Sequence, residues 1–238
     1  MNLIVLDTET SDLDPDKGAK LLEIAWIELL NTGRNDGSPW EQVSSYETYI
    51  ECPPNLIINP KAQATHHITR DMLTADKGAR SRYETILHLQ KFLKEDTYMV
   101  AHNAAFDRAF VPEIKHPWIC THRSAKHLFP GAPGYSNQVL RYHLGLKPDL
   151  PANKFPHQAL YDVSVTVSLL HKMLENTTPL QLLNLSQQPV RLKTLTFGKH
   201  RGQDFSAIPR DYLVWLRRQQ NLEPDLIYTL DYLLHQKP

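Results

Sequence analysis

Cysteine is scarce in this 238-residue chain, which contains only Cys52 and Cys120. They form no Cys-x-x-Cys pair, so the sequence indicates no disulfide framework and is typical of a reducing compartment. We therefore expect a cytoplasmic location. Long apolar runs are also missing. The short apolar start lacks a preceding basic region and leads directly into Asp7, which predicts neither a signal peptide nor a membrane span.

An excess of charge of either sign is missing too, because 26 Lys and Arg balance 26 Asp and Glu. Zero net charge argues against strong nonspecific adhesion of the whole molecule to nucleic acid. The charges are nevertheless segregated. Residues 1–51 contain eleven acidic and three basic residues, whereas residues 114–148 contain five Lys and Arg, four His and no acid. These regions are either ordinary solvated faces or an acidic metal site beside a basic substrate track.

The pattern of apolar residues predicts an α/β fold. Three successive strands with short connections, the last two separated by a loop at 31–39, predict an antiparallel meander. Strands and helices then alternate, which predicts a mixed sheet with helices on its faces. Residues 51–81 contain three Pro and show no sustained period, and they predict a long irregular excursion. The predicted strands span residues 3–6, 21–30, 43–50, 98–101 and 118–120, and the helices 83–93, 103–111, 121–128, 135–144 and 159–174.

The length suits one domain of about 150 to 180 residues with a smaller appendage. Residues 176–179 interrupt the last long helical pattern, and Thr178 with Gln181 resembles a capping box at a new helix. We therefore predict two domains, 1–177 and 178–238.

Two carboxylates, Asp7 and Glu9, follow the first predicted strand. Side chains two apart in a strand project from the same face, so both are expected at one place. By itself an Asp-x-Glu pair is typical of a strand that continues into an acidic surface turn. Three further residues, Asp107, His157 and Asp162, are expected near strand ends or helix starts. In open sheets with helices on both faces, sites form outside the carboxyl ends of the strands, where these residues would meet.

Four converging carboxylates in a partly buried pocket could not all remain ionised without cations, because repulsion and desolvation would force protonation. Carboxylate and water ligands select Mg²⁺ or Mn²⁺ rather than Zn²⁺. The twelve His show no zinc spacing such as His-Glu-x-x-His. The residues therefore predict a site for hard divalent cations.

Three motifs resemble those of the DEDD 3′-5′ exonucleases and occur in the family's order. They are Asp-x-Glu at 7–9, Asn-x-x-Phe-Asp at 103–107 and His-x-Ala-x-x-Asp at 157–162, with His66-x-Ile68-Thr69 between the first two. The histidine form, DEDDh, is indicated because the tyrosine form would require Tyr where Gln158 lies. Further segments resemble one branch of the family, at 118–121, 135–137, 159–162 and 197–202.

The resemblance implies a ribonuclease H-like fold and release of nucleoside 5′-monophosphates from DNA 3′ ends, with a role in DNA repair. It implies two Mg²⁺ ions about 4 Å apart, replaceable by Mn²⁺, and a histidine that takes the proton of the attacking water. Leu13 resembles a residue that packs on the terminal base, and His66 and Asn103 resemble residues that line the pocket of the 3′ nucleotide. Leu13 and Asn103 are equally compatible with loop packing, and His66 is more typical of a structural residue. The implied ligands and base are Asp7, Glu9, Asp107, Asp162 and His157.

The partner implied is nucleic acid, single- or double-stranded, with no membrane and no protein partner indicated. Two alternatives remain. One is a ribonuclease, since nothing in these residues reads the 2′-hydroxyl. The other is a noncatalytic nucleic-acid-binding or protein-binding module. The family's usual Thr-Gly-Leu after the first motif is Ser11-Asp12-Leu13 here, and the resemblance does not explain Asp12.

The tail of the chain predicts a hairpin of residues 192–197 and 203–205, with helices after Pro209 and Pro224. The tip of the hairpin has the sequence Lys199-His200-Arg201. A charged tip commonly serves solubility, and contact with substrate phosphates is the other interpretation.

Overall fold

The computed structural model describes residues 1–34 and 39–235, so the predicted loop at 31–39 lies partly outside the described residues. Within these residues the sheet has five strands in the order β3-β2-β1-β4-β5. The β1–β2 and β2–β3 pairs are antiparallel, and the β1–β4 and β4–β5 pairs are parallel. The predicted α/β mixed sheet is therefore confirmed. The strands are β1 (Asn2–Thr10), β2 (Leu21–Asn31), β3 (Trp40–Tyr49), β4 (Thr97–Ala101) and β5 (Trp118–Cys120).

Helices cover the sheet and build the tail. They are α1 (Pro60–His66), α2 (Arg82–Gln90), α3 (Ala104–Phe110), α4 (Thr121–Leu128), α5 (Asn137–His143), α6 (Ala159–Leu174), α7 (Pro179–Gln187), α8 (Arg210–Arg217) and α9 (Pro224–His235). No helix within the described ranges combines the length and the apolar character needed to cross a membrane.

Strand β1 is buried on both faces. Leu3 and Val5 pack with Val163 and other residues of α6, whereas Ile4 and Leu6 pack with residues of α2 and α3 on the other face. The strand is longer than predicted, because pairing with β2 continues to Thr10. Asp7 and Glu9 therefore lie within the strand rather than beyond its end.

The prediction of wholly irregular structure over residues 51–81 is wrong for residues 60–66, which form α1. Asn59 accepts a hydrogen bond from the Lys61 N–H and Pro60 occupies the first turn. This is the favoured start of a short helix, even without an apolar period. The helix ends at His66, whose ring lies next to the end of β1, with Nε2 3.2 Å from the Thr10 carbonyl.

The chain divides into two compact units, Met1–Ser186 and Gln187–Pro238. The sequence placed the boundary earlier, at 177/178, whereas nearly all of α7 lies in the larger unit. Leu182 of α7 is fully buried in the core with α6, and the Ser186 hydroxyl accepts the Cys120 N–H at 2.8 Å. The predicted capping box of α7 is present, since Thr178 and Gln181 exchange backbone-to-side-chain hydrogen bonds.

The smaller unit has a core of its own, to which Leu195, Phe205, Leu216 and Leu230 contribute. The helices predicted after Pro209 and Pro224 are present as α8 and α9. The predicted hairpin is reduced, in the described part of the tail, to one antiparallel bridge between Thr194 and Asp204 with a few flanking backbone bonds.

Candidate metal and catalytic site

The first part of the site is the carboxyl end of β1. Asp7 and Glu9 project from the face of the sheet that α6 covers, because their partners across the ladder are Ala25 and Glu23 and Ala25 packs in that core. Glu23 is 1% exposed. Two glutamates therefore lie opposite each other on neighbouring strands, an arrangement that is unfavourable for two ionised side chains.

The second part is the start of α6. His157 has a left-handed backbone, with φ of 66°, and its N–H donates to Asp162 Oδ2 at 2.7 Å. The Ala159 N–H donates to Glu23 Oε2 at 3.1 Å, which links β2 directly to the start of α6. As a result, ligand atoms of Glu9, His157 and Asp162 all lie within 4.8 Å of one another.

The third part is Asp107 on the first turn of α3, which follows β4. Because β4 runs parallel to β1, both strands deliver their carboxyl ends to the same edge. Asp107 is 2% exposed and accepts a hydrogen bond from Thr8 Oγ1 at 2.8 Å. Its negative charge contributes to the raised pKa of Asp7, so the two carboxyls are close enough to interact.

The electrostatics of the site are those of crowded acids. Burial, together with the charges of neighbouring carboxylates, raises the pKa of Asp7 well above its usual value and that of Glu9 to about 9. Burial raises the pKa of Glu23 to about 7 and of Asp107 to about 7, although the Thr8 hydroxyl opposes the shift in Asp107. Burial also raises the pKa of Asp162, against the His157 N–H bond. We call Asp7, Glu9, Glu23, Asp107 and Asp162 the carboxylate cluster.

A cation close to the carboxylate cluster relieves only part of this repulsion. Lys154 forms an ion pair with Glu47, and its charge lowers the pKa of Glu23. The pKa values of the other acids remain raised. The possible metal ligands are carboxylate oxygens and one imidazole nitrogen. Hard divalent cations prefer such oxygen ligands, and their binding would displace the protons that crowding retains. The residues present therefore fit a divalent-metal site.

Glu23 is the residue of the site that sequence reasoning missed. It lies in a strand of otherwise mostly apolar residues, where Glu28 is a second buried acid. A glutamate within a buried strand is itself a signal, because burying an unpaired charge is costly. Only the strand register shows that Glu23 faces Glu9 rather than the opposite side of the sheet.

The three predicted substrate contacts have different surroundings. Leu13 is 77% exposed. Asn103 is exposed at the start of α3 with φ of 77°, and its side chain makes no capping bond to the helix. His66 is buried. Its Nδ1 accepts the Ile68 N–H at 2.9 Å, which leaves Nε2 to donate to the Thr10 carbonyl at 3.2 Å.

Asp12 has a structural explanation. Its Oδ2 accepts from Asn59 Nδ2 at 3.0 Å and its Oδ1 accepts the Leu13 N–H at 2.7 Å. These bonds hold the pKa of Asp12 below its usual value. Asp12 is not among the residues with positive φ, so the turn does not require glycine here. The side chain instead joins the end of β1 to the start of α1.

The model of the exonuclease family matches residues 4–170 of the chain. This chain belongs to the exonuclease family. The predicted family is thereby confirmed, and the likeness to a solved exonuclease structure confirms the predicted ribonuclease H-like fold. Tyr161, the tyrosine near the third motif, accepts a hydrogen bond from Arg141 and is not among the grouped ligand residues.

Relatives extend this exonuclease assignment over both units. Exodeoxyribonuclease 10 of Escherichia coli K12 is 34% identical over 238 residues, which cover 98% of each chain. The 3′-5′ exonuclease DinG of Bacillus subtilis is 28% identical over 193 residues, 77% of this chain and 19% of its own. The branch indicated by the segments at 118–121, 135–137, 159–162 and 197–202 is exodeoxyribonuclease X, in agreement with the first of these relatives.

Two solved structures resemble this exonuclease. Exonuclease X in complex with 5′ overhanging duplex DNA is 30% identical, with a TM-score of 0.63, and the match covers 77% of this chain and 99% of that one. The nuclease domain of 3′hExo, a DEDDh family member bound to rAMP, is 16% identical with a TM-score of 0.54, covering 74% and 92%. The second likeness concerns the fold alone.

Proposed function

We propose that this exonuclease removes nucleoside 5′-monophosphates from DNA 3′ ends by metal-dependent hydrolysis, and that it acts in DNA repair in the cytoplasm. The observation that carries the proposal is the convergence of Asp7, Glu9, Asp107 and Asp162 with an exposed His157 at one edge of the sheet. The DNA substrate is supported by the name of the Escherichia coli relative and by the DNA-bound solved structure.

Asp7, Glu9, Asp107 and Asp162 are the residues that would hold two Mg²⁺ ions, with Mn²⁺ as a substitute. When bound, two such ions would supply activation of the attacking water and stabilisation of the leaving 3′ oxygen in an in-line displacement. Asp7 would lie at the centre of this ligand set, because after burial it is the charges of Asp107, Glu9 and Asp162 that raise its pKa.

His157 is the proposed general base. Its ring lies beside Glu9 and Asp162, and its side chain is exposed to the solvent from which water enters. An imidazole is well suited to accept a proton at neutral pH. The bond from its backbone N–H to Asp162 fixes the residue at the start of α6. The imidazole ring is therefore held close to the acids.

The substrate contacts are proposed as follows. Leu13 is free to pack on the terminal base because most of its side chain is exposed. Asn103 presents an amide beside the end of β4, where the left-handed backbone orients it outside the helix. Both ring nitrogens of His66 form hydrogen bonds to backbone groups. We therefore propose that the ring surface lines the pocket and that His66 makes no hydrogen bond to the nucleotide.

The test uses matched DNA and RNA oligonucleotides, single- and double-stranded, labelled at the 5′ end and incubated in Mg²⁺, Mn²⁺ or EDTA. We expect mononucleotide release from DNA in either metal and none in EDTA. Asp7→Ala and Asp162→Ala should reduce release to the level without enzyme while circular dichroism shows an intact fold. Asp16→Ala, which removes an exposed acid of the following turn, is the matched control and should remain active.

Unchanged activity in Asp7→Ala or Asp162→Ala would overturn the proposal. Faster cleavage of RNA than of DNA would replace it with an exoribonuclease. Tight strand binding without turnover in either metal would indicate a noncatalytic binding module.

A further inference from the structure

The turn at Gly198–Gly202 in the smaller unit is held in one conformation. Gly198 has φ of 70°, and a Cβ there would lie 3.1 Å from the Tyr212 hydroxyl. The Gly202 N–H donates to the Leu195 carbonyl at 2.7 Å, and the Arg201 N–H donates to the Gly198 carbonyl at 3.2 Å. The turn is thus packed down on α8 rather than extended away from it.

Aromatic rings continue from this turn along α8. The His200 and Tyr212 ring centroids are 4.5 Å apart, and those of Tyr212 and Trp215 are 5.2 Å apart. His200 Nδ1 pairs with Gln203 Oε1 at 2.8 Å, which fixes the first ring. Trp215 at the other end is 53% exposed. An indole left this open is unusual, because burial of an aromatic side chain is strongly favourable.

Positive charge lies next to His200, at one end of the row of rings. Lys199 and Arg201 flank His200 and are both exposed. No acid occurs from 191 to 203, and residues 187–238 contain eight Lys and Arg against five Asp and Glu. Of the acids that follow, Asp204 accepts hydrogen bonds from Ser206 at the start of a short 3₁₀ turn. Asp211 on α8 is exposed.

We propose that the surface formed by Lys199, His200, Arg201, Tyr212 and Trp215, the basic turn surface, binds single-stranded DNA. Exposed rings that stack on unpaired bases, combined with cations that contact phosphates, are the two elements of sequence-tolerant single-strand binding. A duplex keeps its bases stacked and offers nothing to Trp215, so the rings favour a single strand over a duplex. The inference does not require hydrolysis, and binding is measured without metal.

Intrinsic fluorescence tests the stacking. The chain has four tryptophans, of which Trp26, Trp40 and Trp118 are buried and only Trp215 is largely exposed. Titration of the full chain with oligothymidylate in EDTA should quench the emission. Trp215→Phe keeps an aromatic ring, so it should bind with nearly unchanged affinity but lose the quenching. Quenching that persists in Trp215→Phe would contradict stacking on this residue.

Affinity tests the surface as a whole, with a fluorescent oligothymidylate, anisotropy and EDTA. Trp215→Ala should weaken binding by about 5- to 150-fold, the range for loss of one stacked base. Lys199→Ser with Arg201→Ser should reduce the slope of log affinity against log salt by about 1.4, which corresponds to two phosphate contacts on a single strand. Both changes are at exposed positions, and thermal melts check that the unit remains folded.

The matched control is Lys91→Ser with Lys94→Ser. It removes the same charge from exposed positions just before β4, whose start pairs with Asn2 and lies at the edge opposite the carboxylate cluster. Its affinity and salt slope should equal those of the unaltered chain. Unchanged binding in both basic-turn variants would overturn the proposal, as expected if this surface instead contacts a protein. That result is distinct from failure of the proposed function, which would appear as absent turnover in metal.

Discussion

The carboxylate cluster and the basic turn surface have opposite charge and opposite exposure. In the cluster, burial brings like charges together until the pKa of Glu9 reaches about 9. At the turn, Lys199 and Arg201 remain in solvent, where charges cost little. Crowded carboxylates destabilise the fold unless cations bind them, so they indicate a catalytic metal site. Exposed cations beside the exposed indole of Trp215 have little effect on stability, so they indicate a binding surface. Changes in the first region should therefore alter turnover, and changes in the second should alter affinity.

A large loss of turnover is also expected at His157. His157→Asn should lower turnover in Mg²⁺ by about 10²- to 10⁴-fold, because it removes the proposed general base. Asparagine tolerates the left-handed backbone, so the N–H bond to Asp162 should persist. Steady-state release of mononucleotides measures the rate, and anisotropy in EDTA should show unchanged affinity.

His67→Asn is the control for His157→Asn, since His67 is also exposed and has φ of 58°. It should retain full turnover. A His157→Asn enzyme that loses affinity for DNA but keeps its turnover rate would contradict the assignment of turnover to one region and affinity to the other.

A smaller effect is expected at Glu23, which we interpret as a positioning residue. Glu23→Ala leaves the buried Ala159 N–H without its acceptor, which costs about 1–3 kcal/mol. The start of α6 should shift, with weaker Mn²⁺ binding and lower turnover. Glu23→Gln keeps an acceptor and should recover most of both. Glu28→Ala, at another buried glutamate of β2, should lower the melting temperature without changing Mn²⁺ affinity. Equal metal affinity in all three variants would contradict the positioning role.

The pH dependence of stability should distinguish the cluster from the rest of the chain. Glu9 has a folded pKa of about 9 against an ordinary value of 4.5, so the folded state holds a proton that the unfolded state releases. Its contribution is fully present below pH 4.5 and is lost as pH rises towards 9. In EDTA the melting temperature should fall over this pH range, and it should fall less steeply in Glu9→Gln. Divalent cations should raise the melting temperature most at high pH. A Glu9→Gln profile parallel to that of the unaltered chain would contradict the assignment.

The smallest effect is expected at Asp12. Asp12→Gly removes the acceptor of Asn59 and adds chain freedom to the unfolded state. The melting temperature should fall slightly while the rate of mononucleotide release stays the same, because the side chain contacts α1 rather than the cluster. A changed rate with unchanged stability would instead assign Asp12 a role at the substrate.

The sequence predicted the fold closely where apolar periods were strong. The strands at 97–101 and 118–120 and helix α6 lie within a residue of prediction. Helix α1 was missed because residues 60–66 lack an apolar stripe, although Asn59 and Pro60 signalled its start. The predicted boundary at 177/178 differs from the division into compact units after Ser186. Leu182 belongs to the core of the larger unit, and only packing reveals that.

The spacing of residues within the motifs predicted part of the site. Asp7 and Glu9 share a face because of strand geometry, and Asp162 follows from the start of α6. Glu23 could not be predicted, since its place opposite Glu9 depends on the register between two strands. The roles of Leu13 and Asn103 also cannot be defined by spacing, because both residues are exposed and no contact within the chain fixes what they bind.

The central claim is that the carboxylate cluster binds divalent cations as a pair. It is tested most directly by counting Mn²⁺ bound to the full chain, by electron paramagnetic resonance in the presence of thymidine 5′-monophosphate. We predict saturable binding of about two ions per chain and the loss of at least one in Asp7→Ala. Absence of saturable binding, or the same number of ions in Asp7→Ala, would contradict the claim.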